Sequence, residues 1–301
     1  MTAAPALAGD LAALVKTDEP MSRHTSWHVG GPAQMYFTPR DRRDLARFLA
    51  ALPRTVPVLW LGLGSNLLVR DGGLRGVVIV THHALAALER RDATTVYCEA
   101  GVPCARIARQ CVKWGLGPAE FFAGIPGTLG GALAMNAGAF GGETWRHVVS
   151  VDVIDRGGVE HTRDAAEYVV GYRSVQPPAS DEGFLGALLR FTRRPATQAN
   201  EIRDLLEKRR QTQPIGEWSG GSTFTNPPGE HAARLIEAAG LKGHRIGGAS
   251  VSAKHANFLI NHGDASAADI EALIRHVQAV VKARTGVELT PEVRIVGEAA
   301  A

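Results

Sequence analysis

The sequence predicts a mixed α+β protein with strands spread along the whole chain, on three observations. Short apolar or alternating runs recur between turns rich in glycine and proline. Helical patterns are readable at only a few places. The composition is that of an ordinary globular protein, 45% hydrophobic and 21% charged. At 301 residues the chain has room for two or three domains, each able to bury a core. Its 34 glycines amount to about 11% of the residues, against an average nearer 7%. Seven of them fall between Gly124 and Gly142. So local a surplus points to backbone that must come close to something.

In chain order, Thr55 to Leu61 is an apolar run ending at Gly62-Leu63-Gly64-Ser65-Asn66, a strand and then a tight loop. Asn66 to Val69 and Gly76 to Val80 are further strands, separated by the turn Asp71-Gly72-Gly73. Val96 to Val102 is another, followed by a helix from Cys104 to Trp114 that Gly115 terminates. Beyond the glycine-rich segment, Val148 to Ile154 and Val159 to Thr162 flank Arg156-Gly157-Gly158 as a hairpin. A loop from Gln176 to Gly183 leads into a strand from Phe184 to Thr192. Arg194-Pro195-Ala196 marks a domain boundary before a helix from about Gln198 to Gln211.

The last unit opens on Ser266-x-x-Asp269, which has the form of a capping box. Ile270, Leu273, Ile274, Val277 and Val281 share one helical face, and Gly286 stops the helix. Val287 to Val296 alternates as a strand, with Val287, Leu289, Val293 and Ile295 inward. Glu292 and Arg294 should therefore emerge together on the opposite face.

Charge narrows the function. The net charge is +3 and no basic run exceeds Lys208-Arg209-Arg210, so a nucleic-acid partner is not expected. Cys98, Cys104 and Cys111 are odd in number and show no CxxC; they read as reduced, packed thiols. Asp10 interrupts the N-terminus, which lacks the pattern of a signal peptide. Phe121 to Gly142 has no charged residue, but seven glycines, Pro126 and Asn136 make it a poor membrane helix. A cytoplasmic protein without a membrane partner is the expectation.

Standard motifs are missing. There is no P-loop, no HExxH and no nucleophile-elbow serine, and Gly62-x-Gly64 lacks the context of a dinucleotide fingerprint. His24 and His28 have metal-ligand spacing without companions, so no metal is expected. Two glycine-rich stretches remain, Gly62 to Asn66 and Ala123 to Gly131. Successive amides without side chains bind anions and admit a flat ligand, so a pyrophosphate-bearing cofactor is favoured over packing alone. Arg173 in Gly171-Tyr172-Arg173-Ser174, Ser222 after Gly220-Gly221, and Glu292 after Thr290-Pro291 are isolated polar residues in suggestive surroundings. Taken singly, each reads as structural.

Seven blocks in order change that reading: HTSWHVGGPA at His24–Ala33, LGLGSNLLV at Leu61–Val69, AGIPGTLGGALAMNAGAFGGE at Ala123–Glu143, GYRS at Gly171–Ser174, GGSTFTNP at Gly220–Pro227, AARLIEAAGLKGHRIGGASVSAKHANFLIN at Ala232–Asn261 and TPEVRIVG at Thr290–Gly297. Together they resemble the UDP-N-acetylenolpyruvoylglucosamine reductase (MurB) family over nearly the whole chain. The resemblance implies an FAD-binding fold of the vanillyl-alcohol-oxidase (PCMH) type in two subdomains, 1–82 and 83–194. An α+β substrate-binding domain at 195–301 follows them.

It implies non-covalent FAD held by Gly62, Gly64, Ser65, Asn66, Ile125, Pro126, Gly127, Thr128, Gly130, Gly131, Asn136, Ala137 and Gly138. NADPH is the co-substrate, and the partners are NADPH and the UDP-N-acetylglucosamine enolpyruvate of peptidoglycan synthesis, acted on by a monomer. The catalytic positions fall on Arg173, Ser222 and Glu292, and Asn226 matches a substrate-contacting asparagine. Arg173 and a protonated Glu292 would stabilise the conjugated carboxylate, and Ser222 would protonate the enol carbon.

Two departures stand out. Ser174 to Gly221 contains no tyrosine, so the chain resembles the shorter subtype without a tyrosine lid. Thr225 occupies the position before the asparagine where a lysine or arginine is usual. A flavin oxidase indifferent to NADPH and a non-catalytic nucleotide-binding module are the competing readings. GGSTFTNP and TPEVR argue against the first, and the three matched polar positions against the second.

Overall fold

A computed structural model describes residues 9–194 and 198–300 and is a mixture of strands and helices. Pro195 and Ala196 of the expected boundary lie outside the described residues. The chain forms two compact units, and they divide it differently from the boundaries at 82/83 and 194/195. One comprises Met1–Thr17, Met35–Gly62 and Gly76–Glu207; the other comprises Asp18–Gln34, Leu63–Arg75 and Lys208–Ala301.

The first unit contains a five-stranded antiparallel sheet in the order Glu160–Asp164, Val148–Ile154, Gly183–Arg190, Thr95–Glu99, Leu88–Arg90. The hairpin expected around Arg156-Gly157-Gly158 is there, with Ile154 opposite Glu160. The strand expected over Val96 to Val102 is shorter, Thr95–Glu99. The helix Cys104–Lys113 buries Cys104, Ile107, Ala108 and Cys111 on one stripe, and Gly115 leaves it at φ +66°. All three cysteines are free and buried. Burial raises their thiol pKa values, that of Cys111 to about 12, which keeps them inert packing groups. A second core in this unit joins the parallel pair Val58–Leu61 and Leu74–Val80 to the helix Arg42–Ala51, where Phe37 and Phe48 stack at 3.8 Å. That helix is absent from the sequence reading, although Asp41 caps it by accepting from Asp44 N.

The second unit is a four-stranded antiparallel sheet in the order Trp218–Ser222, Phe258–Asn261, Ala249–Val251, Arg245–Ile246. Helices Ala232–Ala238 and Ala267–Thr285 complete its core around Trp27, Phe224, Leu273 and Val277. The Ser266 capping box forms as read, and Gly286 ends the helix at φ 74°. Asp71 adds a second cap, accepting from Ala267 N and Ala268 N at 2.9 Å each.

The strand expected from Val287 to Val296 is a correction: only Arg294–Val296 is strand, parallel to Leu67–Val69. Pro291 has no N–H to give a ladder. The alternation of buried positions survives because Leu289 and Val293 still pack inward on an extended chain.

Arg70 donates to both carboxylate oxygens of Glu271, at 2.8 and 2.9 Å, and with Arg275 holds that carboxyl below its ordinary pKa of 4.5. A lowered folded-state pKa means stability present above 4.5 and lost as pH falls through the folded value. Glu271→Gln should therefore lower the thermal midpoint at neutral pH, with the gap to wild type closing below pH 4.5. Melting curves across pH test this, and a gap that persists undiminished in acid contradicts it.

Candidate active site

In the first unit the glycine-rich segment is a short 3-10 turn, Glu120–Gly124, then Ile125 to Thr128, then the helix Leu129–Met135. Ile125 is buried and Pro126 exposed; Gly127 O accepts from Cys104 N at 2.9 Å, and Gly130 N donates to Ala100 O at 2.8 Å. Gly131 faces open space, with nothing within 4 Å of where a Cβ would stand. Thr128 is 1% exposed and its hydroxyl has no hydrogen-bond partner among the described residues. A Cβ on Gly62 would lie 2.5 Å from that hydroxyl, so Gly62 must be glycine for the two segments to meet.

Asn136 closes the helix in the left-handed conformation (φ 47°, ψ 53°), a region that asparagine tolerates better than most residues. Ala137 O accepts from the Thr144 hydroxyl at 2.7 Å. Arg173 lies in the two-residue turn joining Val169–Gly171 to Ser174–Gln176, itself at φ 53°. Its guanidinium donates to Asn136 O at 3.2 Å and Gly138 O at 2.9 Å. The structure thus brings Arg173 onto the expected cofactor segment.

In the second unit Gly64, at φ +62°, has its Cβ position filled by His24 O, while Ser65 and Asn66 are half-buried. Asn66 Nδ2 donates to Glu292 O at 3.0 Å, and Arg294 N donates to Asn66 O at 3.1 Å. Glu292 N donates to Thr223 O at 2.8 Å. The segments carrying Asn66, Ser222 and Glu292 are therefore laced together by backbone bonds.

Ser222 ends the strand Trp218–Ser222 after an irregularity that breaks the ladder between Ser219 and Ser222; Gly221 there has φ +77°. Its hydroxyl carries no hydrogen bond among the described residues. Asn226 is exposed, and its Oδ1 accepts from Ala232 N at 3.1 Å, capping the helix Ala232–Ala238. Its side chain so has a structural duty that the sequence did not foretell. Thr225 donates through N and Oγ1 to Thr290 O.

Sequence reasoning missed the residues that brace these groups. Trp27, 0% exposed, donates from Nε1 to Leu259 O at 2.9 Å and fills the space beside Gly220, whose Cβ would stand 2.6 Å from the indole. Asn257 clamps Phe224 from both sides, accepting from its N at 3.0 Å and donating to its O at 2.8 Å. Both lie inside the matched blocks, which is the one signal that could have found them. His24 pairs with Glu19 at 2.9 Å and the His28 ring lies tilted against Trp218 with centroids 4.4 Å apart, so the pair that had metal-ligand spacing turns to separate partners.

A sequence profile of the FAD binding domain matches residues 33–163. One of the UDP-N-acetylenolpyruvoylglucosamine reductase C-terminal domain matches residues 213–296. The UDP-N-acetylenolpyruvoylglucosamine reductase of Alkalilimnicola ehrlichii is 57% identical over 93% of this chain and 94% of its own. That of Methylococcus capsulatus is 56% identical over 94% and 93%. The crystal structure of the Thermus caldophilus enzyme covers 92% of this chain and 97% of its own, with a TM-score of 0.76 at 32% identity. By that degree of identity over nearly its whole length, the chain belongs to the UDP-N-acetylenolpyruvoylglucosamine reductase family.

Proposed function

We infer that the chain reduces the enolpyruvyl ether of UDP-N-acetylglucosamine to the lactyl ether, with NADPH as the reductant. Family membership makes it an FAD-dependent oxidoreductase of peptidoglycan precursor synthesis. The residues present suit FAD. A fully buried, unpartnered Thr128 hydroxyl beside Gly62, and open space at Gly131, are what a phosphate-bearing, flat ligand needs from a backbone cradle. That orphaned hydroxyl is the observation that carries the assignment. Ile125 to Gly138 and Gly62 to Asn66 are the segments we assign to the cofactor.

Bound there, FAD would supply the redox chemistry that links NADPH oxidation to hydride addition at the terminal vinyl carbon. The chain's own residues handle charge and the proton. Arg173 is assigned to the substrate carboxylate, whose conjugation must absorb negative charge as hydride arrives. A guanidinium fixed by two carbonyls is preorganised for that task. Glu292, whose main chain accepts from Asn66 Nδ2 and donates to Thr223 O, is assigned to the same developing charge. Ser222 gives its proton to the enol carbon, completing addition of H⁻ and H⁺ across the double bond. A hydroxyl is a weak acid, but the carbon that receives the proton is strongly basic, so placement decides the rate. Asn226 is assigned to the sugar nucleotide. We further read the chain as a cytoplasmic monomer; among the described residues no helix is long and apolar enough to cross a membrane.

The purified protein should be yellow and should oxidise NADPH steadily only when the enolpyruvyl sugar nucleotide is present. A colourless protein, or oxygen consumption independent of that substrate, overturns the reading. Thr128→Val keeps the shape and removes the hydroxyl. It should weaken FAD binding about tenfold, a loss of about 1.4 kcal/mol, with the melting point of the apoprotein unchanged or higher. FAD titration of the stripped protein measures it; unchanged affinity removes Thr128 from the site.

A further inference from the structure

We propose that Asn136 is a positioning residue for Arg173, acting through the Val169–Gln176 hairpin rather than through a side-chain contact with FAD. The inference rests on the assignment of Arg173 to the substrate carboxylate. Asn136 is 2% exposed and every polar atom of its side chain is engaged within the protein. Oδ1 accepts from Trp145 N at 3.1 Å, and Nδ2 donates to Gly171 O at 3.0 Å and to Glu143 Oε2 at 3.4 Å. Its main-chain O accepts from Arg173 Nη1. One residue therefore grips both the base of the hairpin turn, at Gly171, and the guanidinium at its tip.

The hairpin needs such a grip. An isolated two-stranded hairpin is marginal in water. This one pairs only Val169 with Gln176, Val170 with Val175 and Gly171 with Ser174, and outside Arg173 its one half-buried side chain is Val175. Arg173 also sits at positive φ, a conformation that persists only where the surroundings dictate it. Gly138 completes the seat: a Cβ there would stand 3.3 Å from Arg173 Nη1 and 3.2 Å from the Glu143 side chain.

Two variants test this. Asn136→Gly keeps the left-handed backbone and deletes all three side-chain bonds. Asn136→Asp keeps the acceptor for Trp145 N and turns an anionic oxygen toward Gly171 O and Glu143. In the FAD-loaded form of both, reoxidation by the enolpyruvyl sugar nucleotide should slow about 10- to 100-fold, by far more than reduction by NADPH does. Hydrogen exchange should quicken in peptides spanning 169–176. Arg173→Ala alone should slow the same half-reaction, and adding Asn136→Asp to it should slow it no further.

Loss of FAD from Asn136→Asp, or equal slowing of both half-reactions, overturns the proposal. So does reoxidation at the wild-type rate in Asn136→Asp when Arg173→Ala is slow, an outcome that leaves the assigned function standing. If Arg173→Ala itself reoxidises normally, the assignment of Arg173 fails and the proposal with it.

Discussion

Ser222→Ala should leave bleaching of the flavin by NADPH near the wild-type rate and slow its recovery on adding the enolpyruvyl sugar nucleotide by about 10²- to 10⁴-fold. The asymmetry follows from where the proton is needed. Hydride transfer from NADPH requires no proton from the serine, whereas saturating the vinyl ether leaves a carbon that must acquire one. The Ser222 hydroxyl makes no hydrogen bond among the described residues, so its removal orphans no partner and the fold should be untouched. Gly221 at φ +77° and the irregularity between Ser219 and Ser222 interrupt regular pairing just before Ser222, which itself lies opposite Phe258. Rapid mixing with each substrate in turn separates the two half-reactions. If both survive, the proton comes from another group and the serine has no part in the chemistry.

Trp27→Ala should destabilise the second unit by about 4 kcal/mol, the usual cost of emptying a fully buried aromatic site. The indole is 0% exposed, packs against Gly220 and donates to Leu259 O. Truncation removes the packing and leaves that carbonyl without its donor. Trp27→Phe separates the two contributions: it retains most of the ring and should cost about 1–2 kcal/mol. Denaturant unfolding gives both values. A Trp27→Ala protein as stable as wild type would mean that the strand bearing Ser222 does not lean on the indole. The alanine variant should also slow flavin reoxidation, because Gly220, two residues before Ser222, would lose the wall that seats it.

What the sequence revealed was local. Capping of Ala267–Thr285 by Ser266, its end at Gly286, the hairpin around Gly157 and the Cys104–Lys113 helix are all set by neighbours within a few residues, and all were readable. Arg173, Ser222 and Glu292 came from matched blocks, because no local pattern distinguishes a substrate-facing serine from a turn serine. What escaped were relations across long stretches of chain. Asn136 reads as one more polar residue in a glycine-rich segment, and only its bond to Gly171 exposes its hold on the turn. Alternation misled at Val287 to Val296, since an extended chain beside a core alternates whether or not a ladder pairs it. The helix Arg42–Ala51 was missed even though Asp41 supplies its N-cap.

The interleaving of the two units bears on how such a gene can be cut. Trp27 and Leu68 belong to the same core as Phe224 and Leu273, and Arg294–Val296 pairs with Leu67–Val69. A polypeptide starting near Lys208 would carry the C-terminal domain as a contiguous stretch of sequence, yet lack its central indole and a strand partner. The C-terminal domain is thus a unit of sequence comparison whose core draws on residues far outside it in the chain. Gene fission or domain shuffling at that point would part Trp27 and Leu68 from the core they share with Phe224 and Leu273.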